Sequence, residues 1–282
     1  MTTGITPAER WQQIAVAPDD QVNLAEAALV IAAEEYPDLD IGAYLDRIAD
    51  MAARLRRRLR QDITPTETLI ALNHYLFEEL GFTGNGAEYY DPRNSFLNQV
   101  IDRKLGIPIT LSLVYMEIGR RVGLALHGVS FPGHFLVKCI VRDGALVLDP
   151  YAKGASLGIE DLQRRASQLH NGIEPAPEAV ESMIVAASNK EILARMLRNL
   201  KGIFLHQNDM MKALSAADRI ISIFPETAAE YRDRGRIYLN LECCRAALAD
   251  FRRYLLLDPG AGDAGVIRQQ LAELQQLASR LN

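Results

Sequence analysis

Between residues 7 and 80 the apolar positions recur at helical spacing: Leu24, Ala27, Ala28 and Ile31, then Tyr44, Ile48, Met51 and Leu55, then Leu69, Leu72 and Leu76. Side chains three and four residues apart share one face of a helix, so the pattern predicts three helices, each with a buried stripe. Pro37 and Asp40 punctuate the run. Thr64-Pro65-Thr66-Glu67 reads as a helix start, with Thr64 as N-cap and Pro65 at the first helical position. Residues 81–94, rich in Gly, Asn and Tyr, then read as an irregular surface loop.

The pattern changes at Pro108. From 108 to 121 apolar residues occupy nearly every side of a predicted helix, through Ile109, Leu111, Leu113, Val114, Met116 and Ile118. A helix without a polar face belongs at the centre of a core. Segments 125–131, 135–141 and 145–148 are short and rich in β-formers. Arg142-Asp143-Gly144 between the last two is a hairpin signal, because Asp-Gly adopts the positive φ angles that a tight turn requires. The local expectation is an antiparallel sheet packed on a buried helix.

Residues 172–178, Gly-Ile-Glu-Pro-Ala-Pro-Glu, form a Pro-rich linker candidate, and beyond them helical periodicity resumes and repeats. Pro225 and Pro259 stand 34 apart (259 − 225), and the same shift pairs Ala213 with Ala247, Leu214 with Leu248, Phe204 with Tyr238 and Ile203 with Ile237. A 34-residue period with small residues at helix crossings and a closing proline is the tetratricopeptide signature. Gly235, Tyr238, Ala247, Phe251 and Pro259 carry it best. One helical pair cannot cover its own apolar face, so two units need a cap, and the predicted final helix 264–281 supplies it. The expected organisation is therefore a first domain over 1–178 and a repeat module over 179–282. Such a module offers a small concave surface for a peptide or protein; plain helical packing for the core is the other reading.

A formal charge of −5 and a pI near 5.6 argue against a nucleic-acid binder, which would present a strongly basic face. One local exception is Arg54, Arg56, Arg57, Arg58 and Arg60, threaded by the buried stripe of Met51, Leu55 and Leu59. A solvated helix face is the plain reading of this cluster, and an anionic partner is the sharper one. Cys139, Cys243 and Cys244 make neither a disulfide framework nor a metal-ligand set, which suits a reduced, cytoplasmic protein. No zinc spacing involves the five histidines, and no cofactor is expected. Neither a leader segment in residues 1–12 nor a membrane-spanning run of roughly 18 apolar residues is expected.

Four ordered motifs carry a family resemblance: Tyr-Tyr-Asp-Pro-Arg-Asn-Ser-Phe-Leu-Asn at 89–98, Asp-Arg-Lys-Leu-Gly-Ile-Pro-Ile-Thr-Leu-Ser at 102–112, Phe-Pro-Gly-His-Phe-Leu-Val at 131–137, and Leu-Asp-Pro at 148–150. Together they resemble the SirB-type transglutaminase-like proteins with C-terminal tetratricopeptide repeats, over essentially the whole chain. The resemblance implies a papain/transglutaminase-like α+β core, mostly helical, with N-terminal helices and a C-terminal repeat module. It also implies a nucleophilic cysteine opening the central helix, a histidine at the start of one strand and an aspartate at the end of the next. Those positions fall on Pro108, His134 and Asp149.

A helix N-terminus stabilises a thiolate through free amides and the helix dipole, whereas proline supplies no nucleophile and removes one amide donor. Ser112, one turn deeper on the same face, is the stand-in that the spacing offers, while Thr110 points roughly the other way. Cys139 lies five residues from His134 and faces the opposite side of its strand. The His134–Asp149 pair then reads as a satisfied core pair, a ligand site, or an acid-base pair acting without a covalent step. The resemblance suggests that Asn94, Asn98, Arg93 and Arg103 line the same region, whereas Asp91 suits loop chemistry with its own backbone. The first expectation is a non-catalytic, regulatory protein-binding module acting on a protein or peptide partner. The alternative is a cysteine-independent hydrolase or transferase on peptide or amide bonds, using His134 and Asp149.

Overall fold

A computed structural model describes residues 5–142, 144–169 and 172–280. The chain divides into two compact units, 1–193 and 194–282. The division falls inside a helix, later than the Pro-rich stretch at 172–178. The segment after that stretch belongs to the first unit, where Ala186 bridges to Val129 on the sheet.

In the first unit, helices α1 (Pro7–Val16), α2 (Leu24–Ala32), α3 (Ile41–Arg56) and α4 (Pro65–Asn73) come first, where hydropathy predicts three. The extra helix is α1, which buries only Trp11 and Ala15 and so has almost no stripe to read. Its start does carry a signal, since Thr6-Pro7-x-Glu9 forms the same capping box as Thr64-Pro65-x-Glu67. Helix α4 passes directly into a π-helical turn, His74–Glu79.

Strand β1 (Thr83–Gly84), inside the expected loop, pairs in parallel with β2 (Leu105–Gly106), Gly84 opposite Gly106. Between them lies α5 (Leu97–Arg103). This pairing ties the loop to the start of α6 (Pro108–Arg121), in which every residue from Pro108 to Gly119 is buried. Full burial of each Leu, Ile, Val or Met side chain contributes about 1.5–3 kcal/mol relative to exposure, so α6 anchors the unit. It packs against α3 and a four-stranded antiparallel sheet ordered β3 (Ala125–Val129), β4 (Leu136–Val141), β5 (Gly144–Asp149), β6 (Ala155–Leu157). Val141 faces Gly144 across the predicted hairpin, whose Asp143 lies outside the described residues. Helices α7 (Ile159–Leu169) and α8 (Pro177–Met183) pack Leu162, Ala166 and Val180 against Val129, Leu136 and Val147 of the sheet and Phe131 of the β3–β4 connection.

In the second unit the repeats are visible in the backbone. Helix α9 (Asn189–His206) runs into it, followed by α10 (Met210–Ile223), α11 (Ala228–Asn240), α12 (Cys244–Leu257) and α13 (Ala264–Arg280). Asn208 and Glu242, one 34-residue period apart, both adopt left-handed φ, 59° and 58°, between the helices of a pair. At Gly235 a Cβ would stand 2.6 Å from the Phe251 ring, so only glycine allows α11 and α12 to approach this closely. Residue 281 of the expected cap lies outside the described residues.

Candidate functional site

The start of α6 is built by small residues and backbone bonds. A Cβ at Gly106 would stand 2.9 Å from Thr110 Oγ1 and 3.1 Å from Leu111 Cγ. Thr110 Oγ1 accepts from the Ile107 N–H at 3.1 Å and lies 2.8 Å from the Asn94 carbonyl, to which it donates. Thr110 is thus part of the frame, joining the helix start to the loop. Pro108 occupies the first helical turn and is buried together with Gly106, Ile107 and Ile109.

His134 lies in the turn between β3 and β4, closed by its N–H donating to the Phe131 carbonyl at 3.2 Å. Gly133 before it has φ +66° and sits against Leu169 of α7. Asp149 ends β5. His134 Nε2 and Asp149 Oδ1 are 2.9 Å apart, and the same oxygen accepts from the Tyr151 and Ala152 amides at 3.0 and 3.3 Å. The other oxygen pairs with Arg165 of α7 at 2.8 Å. Burial opposes ionisation of Asp149, whose side chain is 1% exposed, yet His134 and then Arg165 hold its carboxyl below the usual aspartate value. His134 remains 20% exposed, and the Tyr151 ring meets it edge-on at 6.0 Å.

Tyr151 is itself seated on glycine: a Cβ at Gly84 would lie 2.4 Å from its ring, and one at Gly86 3.6 Å from its hydroxyl. Asn73 braces the loop after Asp149, donating to the Gly154 carbonyl at 3.2 Å and accepting from the Tyr115 hydroxyl at 2.8 Å. Sequence reasoning missed Arg165, Tyr151 and Asn73. Only Tyr151, beside the Leu-Asp-Pro motif, had a local signal.

Asn94, Asp91, Arg93 and Arg103 hold the loop before α5 together. Asn94 is fully buried; its amide donates to the Glu88 and Tyr89 carbonyls at 2.7 and 3.3 Å, and its oxygen accepts from Asn85 at 3.1 Å and Arg103 at 3.5 Å. Asp91 caps the turn at 92–94 and pairs with Arg93 at 2.8 Å and Arg103 at 3.3 Å. Burial opposes ionisation of Asp91, but hydrogen bonds from Arg93 keep its carboxyl below the ordinary value. Asn98 is 2% exposed and its Oδ1 has no partner. Ser112 is fully buried and its Oγ makes no hydrogen bond, so it does not form the nucleophile–base contact with His134. Cys139 is buried, which pushes its thiol pKa up, the opposite of an activated thiolate. No group of three or more metal-ligating side chains occurs among the described residues.

Residues 42–198 match the description "Transglutaminase-like superfamily". The chain belongs to the transglutaminase-like superfamily. Residues 200–272 match a tetratricopeptide repeat family. The chain is 40% identical over 264 residues to a UPF0162 protein of Xylella fastidiosa strain Temecula1, covering 94% of each. It is 32% identical over 257 residues to one of Pseudomonas aeruginosa, covering 91% of this chain and 93% of that one. Human F-box only protein 21 is 27% identical over 228 residues, 74% of this chain and 35% of that protein. No solved structure matches the chain. In this transglutaminase-like unit His134 contacts a buried carboxylate, and position 108 is a proline.

Proposed function

We propose that this chain is a non-catalytic, regulatory module that binds a protein or peptide partner through its tetratricopeptide repeats. The carrying observation is Pro108: a buried proline stands where the resemblance places the nucleophile, and Ser112 makes no bond to His134. Without a nucleophile the His134–Asp149 pair, locked by Arg165, serves as a brace between the sheet and α7. The repeat unit supports the binding role, since tetratricopeptide arrays present extended surfaces to partners.

The test compares capture of partners by the wild-type chain, His134→Ala and Gly235→Leu. His134→Ala is expected to retain the same captured set, while Gly235→Leu, which drives a side chain into Phe251, loses it. Capture indifferent to Gly235→Leu would overturn the proposal. A second reading rests on the exposure of His134: an oriented, 20% exposed imidazole suits acid-base action on a peptide or amide bond without a covalent step. Amide hydrolysis by the wild type that disappears in His134→Ala would favour that reading.

A further inference from the structure

A band of basic side chains crosses the first unit away from the His134–Asp149 brace, and printed contacts link one step of it to the next. At the end of α3, Arg56 Nη1 donates to the Arg121 carbonyl at the end of α6, 3.5 Å away, and Arg57 follows it in the chain. Arg120, the preceding residue of α6, donates through Nε to the Leu126 carbonyl of β3 at 2.9 Å. His127 comes next on that strand, and Lys138 stands opposite it on β4. Burial first, then the charges of Arg120 and Lys138, hold the His127 imidazole below the ordinary histidine value.

The band carries a surplus of positive charge. Arg56, Arg57, Arg120 and His127 are exposed, and Arg121 and Lys138 are half-buried. Among the described residues none of Arg56, Arg57, Arg120 and Lys138 has a carboxylate partner; Arg56 and Arg120 reach carbonyls, and Lys138 Nζ reaches the Ile184 carbonyl at 3.5 Å. Arginines nearby do find acids, Arg47 with Asp102 and Arg58 with Glu79. Two carboxylates lie along the band, Glu117 and Asp20, which line a cavity with Arg120 and Arg121. Glu117 is buried and taken up by Arg121. That leaves Arg56, Arg57, Arg120 and Lys138 against Asp20, and like charges gathered on one surface repel until an anion joins them.

Shape and surroundings indicate which anion fits. The cations form a row over α3, α6, β3 and β4 instead of converging on one point, which suits an extended chain with several negative groups. Apolar side chains flank the far end. Ile140, on the same face of β4 two residues beyond Lys138, is 45% exposed, and Val185, next to Ile184, is 65% exposed. An acidic polypeptide with an apolar residue uses both features. A nucleic acid calls for a broad basic face, which a chain of charge −5 does not offer.

We propose that this band docks an extended acidic segment of a partner protein, its carboxylates against Arg56, Arg57, Arg120 and Lys138 and an apolar side chain against Ile140 and Val185. The surface lies in the first unit and is independent of the proposed repeat function.

The experiment titrates the full chain with a fluorescein-labelled polyglutamate peptide carrying one central leucine, read by anisotropy, while NMR follows the His127 ring signal. A polylysine peptide and a single-stranded oligothymidylate of the same length serve as controls. Saturable binding that weakens steeply with salt is expected, with a shift of the His127 signal and weaker binding of both controls. Arg56→Glu and Lys138→Glu, towards opposite ends of the band, are each expected to weaken binding about fivefold, as for loss of one exposed ion pair. Arg164→Glu, at an exposed position of α7, and Gly235→Leu in the repeats are expected to leave it unchanged. The proposal fails if the peptide does not bind at low salt, if both charge reversals bind like the wild type, or if the oligothymidylate binds more tightly. It fails equally if Gly235→Leu abolishes binding, which would move the acidic segment to the repeats.

Discussion

The two carboxylate oxygens of Asp149 serve His134, Arg165 and two backbone amides at once. Their effect is a carboxyl held below its ordinary value of 3.8 against the opposing effect of burial. A depressed folded value means that the unfolded chain binds the proton first. The stabilisation is therefore fully present above pH 3.8 and is lost as pH falls through the lower folded value. Asp149→Asn is expected to flatten the acid side of the stability curve, measured by urea unfolding between pH 6 and pH 3. An unchanged slope would mean that the pair does not contribute. At Gly154, φ is +76° and a Cβ would lie 2.1 Å from Asn73 Oδ1, so Gly154→Ala is expected to cost about 1–3 kcal/mol in the same assay. Of these residues, His134 and Asp149 were legible because they sit inside short motifs. Arg165 was not, since a charged residue on an amphipathic helix looks alike whether it meets solvent or a buried carboxylate.

Elements were legible where caps or stripes were strong. Thr64 heads α4 with a reciprocal capping box: the Glu67 N–H donates to its Oγ1 at 3.2 Å, and the Thr64 N–H donates to Glu67 at 2.9 Å. Thr64→Ala is expected to destabilise the fold by about 1 kcal/mol, read as a lowered thermal midpoint, with no change in partner capture. Helix α6 was visible from its all-round apolarity, and the 34-residue period announced the repeats. Helix α1 was missed because it buries two residues, and β6 because three residues, two of them exposed, carry no alternation. The π-helical turn has no sequence signature, because α and π windings differ by one residue in where a carbonyl finds its donor.

Across the whole molecule, the decisive question is whether the transglutaminase-like unit could still run thiol chemistry. Pro108→Cys restores a thiol at the start of α6, but that position is buried along with its neighbours. In the native protein, position 108 is expected to resist alkylation while the exposed Cys243 reacts, followed by peptide mass spectrometry. Rapid reaction at position 108 would point to an opening cleft and to the enzymatic reading. The order of motifs determined the family, the α+β class, the repeat module and the identity of the dyad, because these depend on short-range patterns that survive in one dimension. Only the tertiary structure decided that Asn94 and Arg103 hold a loop, that Arg165 joins His134 on Asp149, and that Tyr75 is buried with an unsatisfied hydroxyl. Those facts depend on contacts between segments tens of residues apart, and burial of a polar atom is a property of its neighbours rather than of its own residue type.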